Sequence, residues 1–443
     1  MSTTPHPFTQ APHRTFIALS APLLVSLIAE PLTGLADTAF VARLGAASLA
    51  GLGVGAAVLS SVFWVFNFIG IGTQTEVARS EGSGDREHAA LANAQALGLS
   101  VLLGVVLGIL AWLTVDPLVA LMGADGEIAT AAHDYITVRL LGAPAILVTV
   151  AAFGTLRGLQ DMHSPMWIAG GLNVVNIILD PIFIFGWGPV PAMGVAGAAG
   201  ASVISQWIGA IAAVVVILRR IGLPAEWNLS QFGKLMSIGG ELLVRTAALN
   251  FFLLLTTRAA TEIGADAGAA HQAIRQVWAF TALFLDAFAI AGQSLVAYFM
   301  GAGDIAQSRR VASVVCWWSF GCGVVLTIGM LGSTELVVVA LVPASSAGIF
   351  YAPWVIAALS QPVNSLSFGT DGVHWGTGDF RYLRNAVLAA TCTGIFGLFW
   401  VNDASPSALT HLWIVTAIWI AVRASFGVLR IWPAIGKAPL SSR

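Results

Sequence analysis

Long apolar stretches separated by short polar segments run along almost the whole chain. Each stretch has the length that a helix needs to cross the hydrocarbon core of a bilayer, which is about 20 residues. The pattern predicts helices at residues 15–41, 46–78, 89–114, 127–156, 163–187, 194–218, 231–261, 267–299, 306–331, 345–375, 382–402 and 408–430. The predicted fold is therefore an all-α integral membrane protein with 12 transmembrane helices.

Composition supports this class and excludes others. The chain is 57% hydrophobic and only 9% charged, whereas a soluble domain carries about 25% charged residues. A net charge of −2 without a basic tract argues against a nucleic-acid partner. The three cysteines lie in apolar stretches without metal-ligand spacing, so we predict no disulfide framework, no metal site and no cofactor. We expect a monomer that contacts the lipid bilayer.

The distribution of basic residues predicts the orientation of the chain. Fourteen of the 20 Lys and Arg residues fall in the two tails or at the loops and helix ends on one side, and two fall at the loops and helix ends on the other side. The remaining four lie within predicted helices: Arg139, Arg245, Arg275 and Arg423. Because loops rich in Lys and Arg stay in the cytoplasm, both termini should be cytoplasmic in a multi-pass protein of the cell (plasma) membrane, the inner membrane of a bacterium.

The second half of the chain repeats the first. The sequence GSGD at 82–85 recurs as GAGD at 301–304, an offset of 219. Three further matches have the same offset: Gly45 with Gly264, Gln74 with Gln293 and Val77 with Val296. Three more have an offset of 218: Pro144 with Pro362, Gly158 with Gly376 and Asp161 with Asp379. Since six helices per repeat is an even number, the halves should have the same orientation and be related by a pseudo-two-fold axis along the membrane normal.

This repeat predicts the domain organisation. The expected parts are a cytoplasmic N-terminal tail at 1–14, a six-helix bundle at 15–218, a cytoplasmic linker at 219–230, a second six-helix bundle at 231–430 and a cytoplasmic tail at 431–443.

Two acids and a proline mark the first predicted helix. Glu30 and Asp37 lie about two helical turns apart and share a face. Pro31 cannot donate to the carbonyl of Leu27 and should bend the helix there. An ionisable group within a membrane span is costly and indicates a functional site, although pairing with a polar neighbour is the structural alternative for Glu30.

A polar stripe on the fifth helix offers a partner for Asp37. Asn173, Asn176 and Asp180 lie three and four residues apart and share one face. Ser202 on the sixth helix is a further hydroxyl candidate, and close helix packing or interhelical hydrogen bonding is the alternative explanation.

The two halves differ at these acids. Asp37 aligns with Thr256, and Asp180 aligns with Leu398. The asymmetry favours a functional site in the first bundle. The second half has its own embedded polar residues, which either pair with one another or, with Glu30, line a cavity: Arg245, His271, Arg275, Asp286 and Asp371.

Enzyme signatures are weak or missing. The GxGD runs at 82–85, 301–304 and 376–379 are typical of intramembrane aspartyl proteases, but Gly ending one helix and Asp beginning the next explains them better. No GxxxxGK[ST], HExxH or GxSxG motif is present. We therefore predict a protein that is not an enzyme and has no catalytic residue.

The motifs together resemble a known family. LADTAFVARLGAASLAGLG, GTQTEVARSEGSGD, NVVNIILDPIFIFG followed by GVAGAA, RTAALN, AHQAIRQVW and TDGVHWGTGDFRYLRN are similar to the multidrug and toxic compound extrusion (MATE) family, in its DinF-like branch. The resemblance spans roughly residues 15–430. It implies a two-lobe antiporter that exports organic, cationic or amphipathic small molecules in exchange for protons or sodium ions.

The same resemblance implies site roles. Asp37, Asn176 and Asp180 would form the coupling site, with Asn173 and Ser202 beside them. Sodium-coupled relatives use acids in the second lobe, and residues 246–261 of helix seven contain none. The proton is thus the expected coupling ion, with sodium as the alternative.

Burial disfavours a charged carboxylate, and a second carboxylate nearby disfavours it further, so the acid pair suits proton uptake and release. A lipid-linked oligosaccharide flippase of the same superfamily is an alternative function. It would need a more cationic cavity than Arg245 and Arg275 indicate.

Overall fold

All 12 predicted segments are helical in the computed structural model, which describes residues 5–226, 232–432 and 435–441. Nine segments form one helix each, and three are divided into two helices by short breaks. The helices of the first half are α1 (Pro7–Gln10), α2 (Pro12–Val41), α3 (Ala46–Trp64), α4 (Asn67–Ser83), α5 (Arg86–Leu113), α6 (Val115–Leu121), α7 (Gly126–Leu140), α8 (Ala143–Gly158), α9 (His163–Phe185) and α10 (Gly194–Ile221). Those of the second half are α11 (Phe232–Ile263), α12 (Ala265–Gly301), α13 (Ile305–Gly332), α14 (Thr334–Leu341), α15 (Ala347–Leu359), α16 (Gln361–Thr377), α17 (Phe380–Leu398) and α18 (Ala408–Ile431).

Length and hydropathy alone give a smaller number of spans. In the described residues, nine helices, with α3 and α4 taken as one, are long and apolar enough to cross a membrane. A tenth span results if α7 and α8, which are bent by 53° at their break, are counted as one. The all-α membrane fold is as predicted, whereas this criterion does not reach the predicted number of 12 because α15 to α17 are too short or too polar for it.

The chain divides into two compact units. One contains residues 21–239, and the other contains the described residues of 1–20 together with those of 240–443. The N-terminal segment packs against the second unit, since Phe8 and Phe16 are fully buried and lie 5.7 and 5.6 Å, between ring centroids, from Phe299 and Phe288. Of the predicted linker at 219–230, residues 227–230 lie outside the described residues.

Each unit has its own apolar core. In the first unit, Tyr135 and Ile136 of α7 pack with Leu52 and Leu59 of α3. The core of the second unit is more aromatic, and Phe252 stacks on Trp419 with ring centroids 4.7 Å apart. Aromatic pairs of this kind add to the stabilisation that apolar burial provides.

The internal repeat is visible as three helix contacts that occur in both units. In each contact a glycine packs so closely that a Cβ atom would meet the backbone of the facing helix. The pairs are Gly104–Pro144 and Gly323–Pro362, Gly154–Gly70 and Gly372–Ala289, and Gly158–Gln74 and Gly376–Gln293. The added Cβ would lie 2.5 Å from the proline Cα in both members of the first pair. We call these three pairs the glycine contacts; each unit therefore repeats the same helix packing.

The GxGD runs are helix caps at two of their three positions. Asp85 and Asp304 accept hydrogen bonds at 2.9 Å from the backbone N–H groups three residues later. The preceding Gly84 and Gly303 have φ values of 76° and 74°, which only glycine adopts readily. Asp379 of the third run instead accepts a hydrogen bond from Arg430 at 2.8 Å.

Candidate functional site

The polar stripe of α9 is buried inside the first unit. Asn173 is 9% exposed, and Asn176 and Asp180 are fully buried. Asp37 of α2 and Ser202 of α10 are also buried, at 6% and 4% exposure. Helical spacing places the three α9 side chains on one face, and the structure brings Asp37 and Ser202 to that face.

Asn176 links the acid of α2 to the hydroxyl of α10. Its amide satisfies both neighbours when the nitrogen donates to Asp37 Oδ1 at 3.0 Å and the oxygen faces the backbone N–H and Oγ of Ser202, each at 3.2 Å. Ser202 Oγ lies 3.5 Å from Asp37 Oδ2. Asp37 therefore has two polar partners on two different helices.

Asp180 lies near Asp37 and has no hydrogen-bond partner among the described residues. The charges of the two carboxyl groups interact. Neither oxygen of Asp180 accepts a hydrogen bond from any donor in the described part of the chain. Two carboxylates can hydrogen-bond only if one carries a proton, and an ionised, unpaired carboxylate in an apolar interior is costly. The arrangement suits a pair that holds a proton between its two members.

Two residues that the sequence did not indicate as site residues lie beside this pair. Arg139 of α7 interacts electrostatically with Asp37, and its Nη1 donates to Gln206 Oε1 at 2.6 Å. Tyr135, one turn before Arg139, is 5% exposed and near both acids. Arg139 is recognisable from the sequence as a cation within a span, but no local pattern indicates which acid it faces.

Asn173 has a separate role next to the proline of α2. Its amide nitrogen donates to the Ala29 carbonyl at 2.7 Å, and Thr33 donates to its amide oxygen. α2 continues as a helix through Pro31, so a bend there stays a prediction. The side chain of Glu30 lies outside the described residues.

The embedded polar residues of the second unit form two groups. In the first group, Asp371 accepts hydrogen bonds from Arg245 and from Arg423 Nη2, the latter at 3.1 Å. All three side chains are less than 10% exposed. Asp286 contributes its charge to the surroundings of Arg423. This first group is a charge-paired cluster.

The second group contains His271 and Arg275 of α12. They lie one turn apart and do not pair with each other. Arg275 Nη1 donates to the Leu253 carbonyl at 2.9 Å and to Thr257 Oγ1 at 3.1 Å. His271 packs against the ring of Trp413 at a centroid distance of 5.5 Å.

Helix α11 extends beyond the segment 246–261 that contains no acid. Glu241 lies near its beginning and pairs with Arg384 at 2.6 Å. Within the described ranges, no group of three or more His, Cys, Asp or Glu side chains could hold a metal ion.

Comparisons with known proteins agree in fold and in sequence. A family model described as MatE matches residues 22–182 and 242–400. Protein DETOXIFICATION 43 of Arabidopsis thaliana is 29% identical over 96% of this chain and 91% of its own length. DNA damage-inducible protein F of Escherichia coli (strain K12) is 25% identical over 94% of this chain and 90% of its own.

A solved structure described as "Crystal structure of MATE in the bent conformation" superimposes with a TM-score of 0.87. It covers 97% of both chains at 22% sequence identity. The two halves of the family match correspond to the two units of the fold, and each half contains one copy of the glycine contacts.

Proposed function

Because the chain belongs to the MatE family, a family of multi-pass membrane transporters for small molecules, we propose that it is a secondary active antiporter that exports organic compounds in exchange for protons. The exported compounds are cationic or amphipathic, and export proceeds by alternating access. The observation that supports proton coupling is the buried pair of Asp37 and Asp180, which lies in the first unit without a described donor to Asp180.

The carboxyl groups of Asp37 and Asp180 would carry the proton. A proton taken from the outer side binds between the carboxyl groups of Asp37 and Asp180 and removes one negative charge. Neutral Asp37 can then donate a hydrogen bond, so its contacts with Asn176 and Ser202 must rearrange. Since these partners lie on α9 and α10, a change in the protonation of one carboxyl alters contacts among three helices.

Competition between the proton and the exported compound follows from the same charges. The ionised pair attracts a cationic compound, and the protonated pair attracts it less. Proton uptake from outside thus favours release of the compound there, and proton release to the cytoplasm restores the pair. Pro31, beside the Asn173 contacts, provides a place where α2 can change its curvature.

The test is uptake of a fluorescent organic cation into inverted vesicles or proteoliposomes under an imposed pH gradient. Wild type should transport without sodium and stop when a protonophore is added. Asp37→Asn, which cannot ionise, should insert and fold but fail to transport, and Asp180→Asn should be nearly as defective. Asp304→Asn is the matched control, because Asn caps a helix as well as Asp and this residue lies far along the chain from the pair.

Two results would overturn the proposal. Full transport by Asp37→Asn would show that this carboxyl does not couple transport to the gradient. Uptake that requires sodium and ignores the pH gradient would replace the proton with sodium as the coupling ion.

A further inference from the structure

A small cavity lies in the second unit, at the end of α11 that follows Phe252. Its volume is about 10 Å³, close to the room that one water molecule needs. The polar side chains that line it come from α11, α12 and α18: Thr256, His271, Arg275, Trp278, Trp413 and Thr416. None of the described residues that line the cavity is acidic.

Three aromatic rings in this cavity wall have unused nitrogen atoms. The indole N–H groups of Trp278 and Trp413 and both ring nitrogens of His271 have no hydrogen-bond partner in the described residues. The three residues are 8%, 3% and 2% exposed. A buried N–H group without an acceptor costs free energy. Three such rings around one space indicate that an acceptor belongs there.

The charge of Arg275 indicates that this acceptor is an anion. Among the described residues, no carboxylate lies within ion-pair distance of Arg275, whose guanidinium contacts only neutral groups. By contrast, Arg245 and Arg423 share Asp371. A cation within a membrane bundle pairs with an acid or with backbone carbonyls; Arg275 has the Leu253 carbonyl but no acid to balance its charge. A water molecule could accept from the two indoles, but it could not neutralise Arg275.

We propose that this cavity binds one small monovalent inorganic anion of the size of chloride. The indole N–H groups, a His271 N–H and the Arg275 guanidinium would surround it with donors and positive charge. The small volume favours a single-atom ion over phosphate or an organic carboxylate.

The internal repeat gives the proposed site a counterpart. Thr256, in the cavity wall, aligns with Asp37 at the offset of 219. The first unit carries a negative charge on its own side chain at this position. The second unit carries donors there and would take its negative charge from solution.

The test is equilibrium dialysis of the purified full-length protein against radiolabelled chloride, with gluconate as the background anion. Wild type should bind about one chloride per chain. Arg275→Gln, and separately Trp278→Phe combined with Trp413→Phe, should weaken binding by about tenfold or more, since each removes donors to a charged ligand. Trp354→Phe is the matched control, because that buried indole donates to Thr334 Oγ1 at 2.9 Å outside the cavity.

A second measurement does not depend on the variants. Crystals of wild type grown in bromide should give one anomalous peak between Trp278 and Trp413. Absence of both saturable chloride binding and the peak would show that the cavity holds water only, and chloride binding unchanged in folded variants would place the anion elsewhere. Either result overturns the proposal, and neither bears on proton coupling in the first unit.

Discussion

Asp371 should support the stability of the second unit far more than the transport step. Its carboxylate is 5% exposed and is shared by two arginines that are 7% and 6% exposed, Arg245 and Arg423. Replacing Asp371 by Asn keeps the shape of the side chain but leaves both guanidinium groups without their shared counter-charge. The perturbation therefore creates buried, unpaired positive charge with little change in packing.

The expected cost can be estimated from these contacts. Removing one partner of a buried ion pair destabilises a protein by about 3–5 kcal/mol. Some stabilisation remains, because Arg245 lies 5.4 Å from the centroid of the Trp375 ring and Arg423 lies 4.8 Å from that of Trp419. These cation–π contacts are present with or without the carboxylate. We expect Asp371→Asn to lower the free energy of unfolding by about 3 kcal/mol.

The assay is denaturant unfolding of the purified protein in mixed micelles, followed by circular dichroism. Asp304→Asn, at an exposed helix cap, should stay within about 0.5 kcal/mol of wild type. Asp37→Asn should not be destabilised either, because the new amide can donate to the unpaired oxygens of Asp180. If Asp371→Asn has the same free energy of unfolding as Asp304→Asn, then Asp371 does not stabilise the protein as the counter-charge of Arg245 and Arg423.

Further predictions concern α2 and the glycine contacts. Pro31→Ala restores an N–H group inside α2 and should stabilise the helix by up to about 3 kcal/mol, yet slow uptake of the fluorescent cation; uptake at the wild-type rate would show that the proline has no part in transport. Gly154→Ala places a Cβ atom 2.5 Å from the Gly70 carbonyl oxygen and should cost about 1–3 kcal/mol in the same unfolding assay. Gly170→Ala, where nothing lies within 4 Å of the new atom, should be neutral or stabilising, and equal effects of the two alanines would contradict the close packing.

The positions of the helices followed from the sequence because hydropathy acts over whole segments. All 12 apolar segments coincide with helices, and the repeated residues Gly158 and Gly376 make equivalent contacts. The breaks inside three segments were not predicted. The interruption at Leu141–Gly142 lies just before Pro144, which cannot donate to the Leu140 carbonyl and so ends α7. The size of the resulting bend, 53°, does not follow from the proline alone.

The site was only partly predictable for a related reason. Spacing along α9 placed Asn173, Asn176 and Asp180 on one face, since that face is set by the helix alone. The approach of Arg139 and of Tyr135 to Asp37 depends on how α2 and α7 pack, which no local pattern encodes. The family resemblance implied a role for Asp37 and Asp180 but none for Arg139 or Tyr135.

The paired glycine contacts also indicate how the chain evolved. Duplication of a gene for one six-helix unit is the simplest origin of two copies of the same three backbone approaches. Mutations at these positions meet backbone atoms, which cannot move aside, so both paralogous halves remain constrained there. Side chains on other helices were free to change, and Asp37 of the first unit corresponds to Thr256 of the second at the offset of 219. The two halves can therefore differ in their charged side chains while they keep the same helix packing.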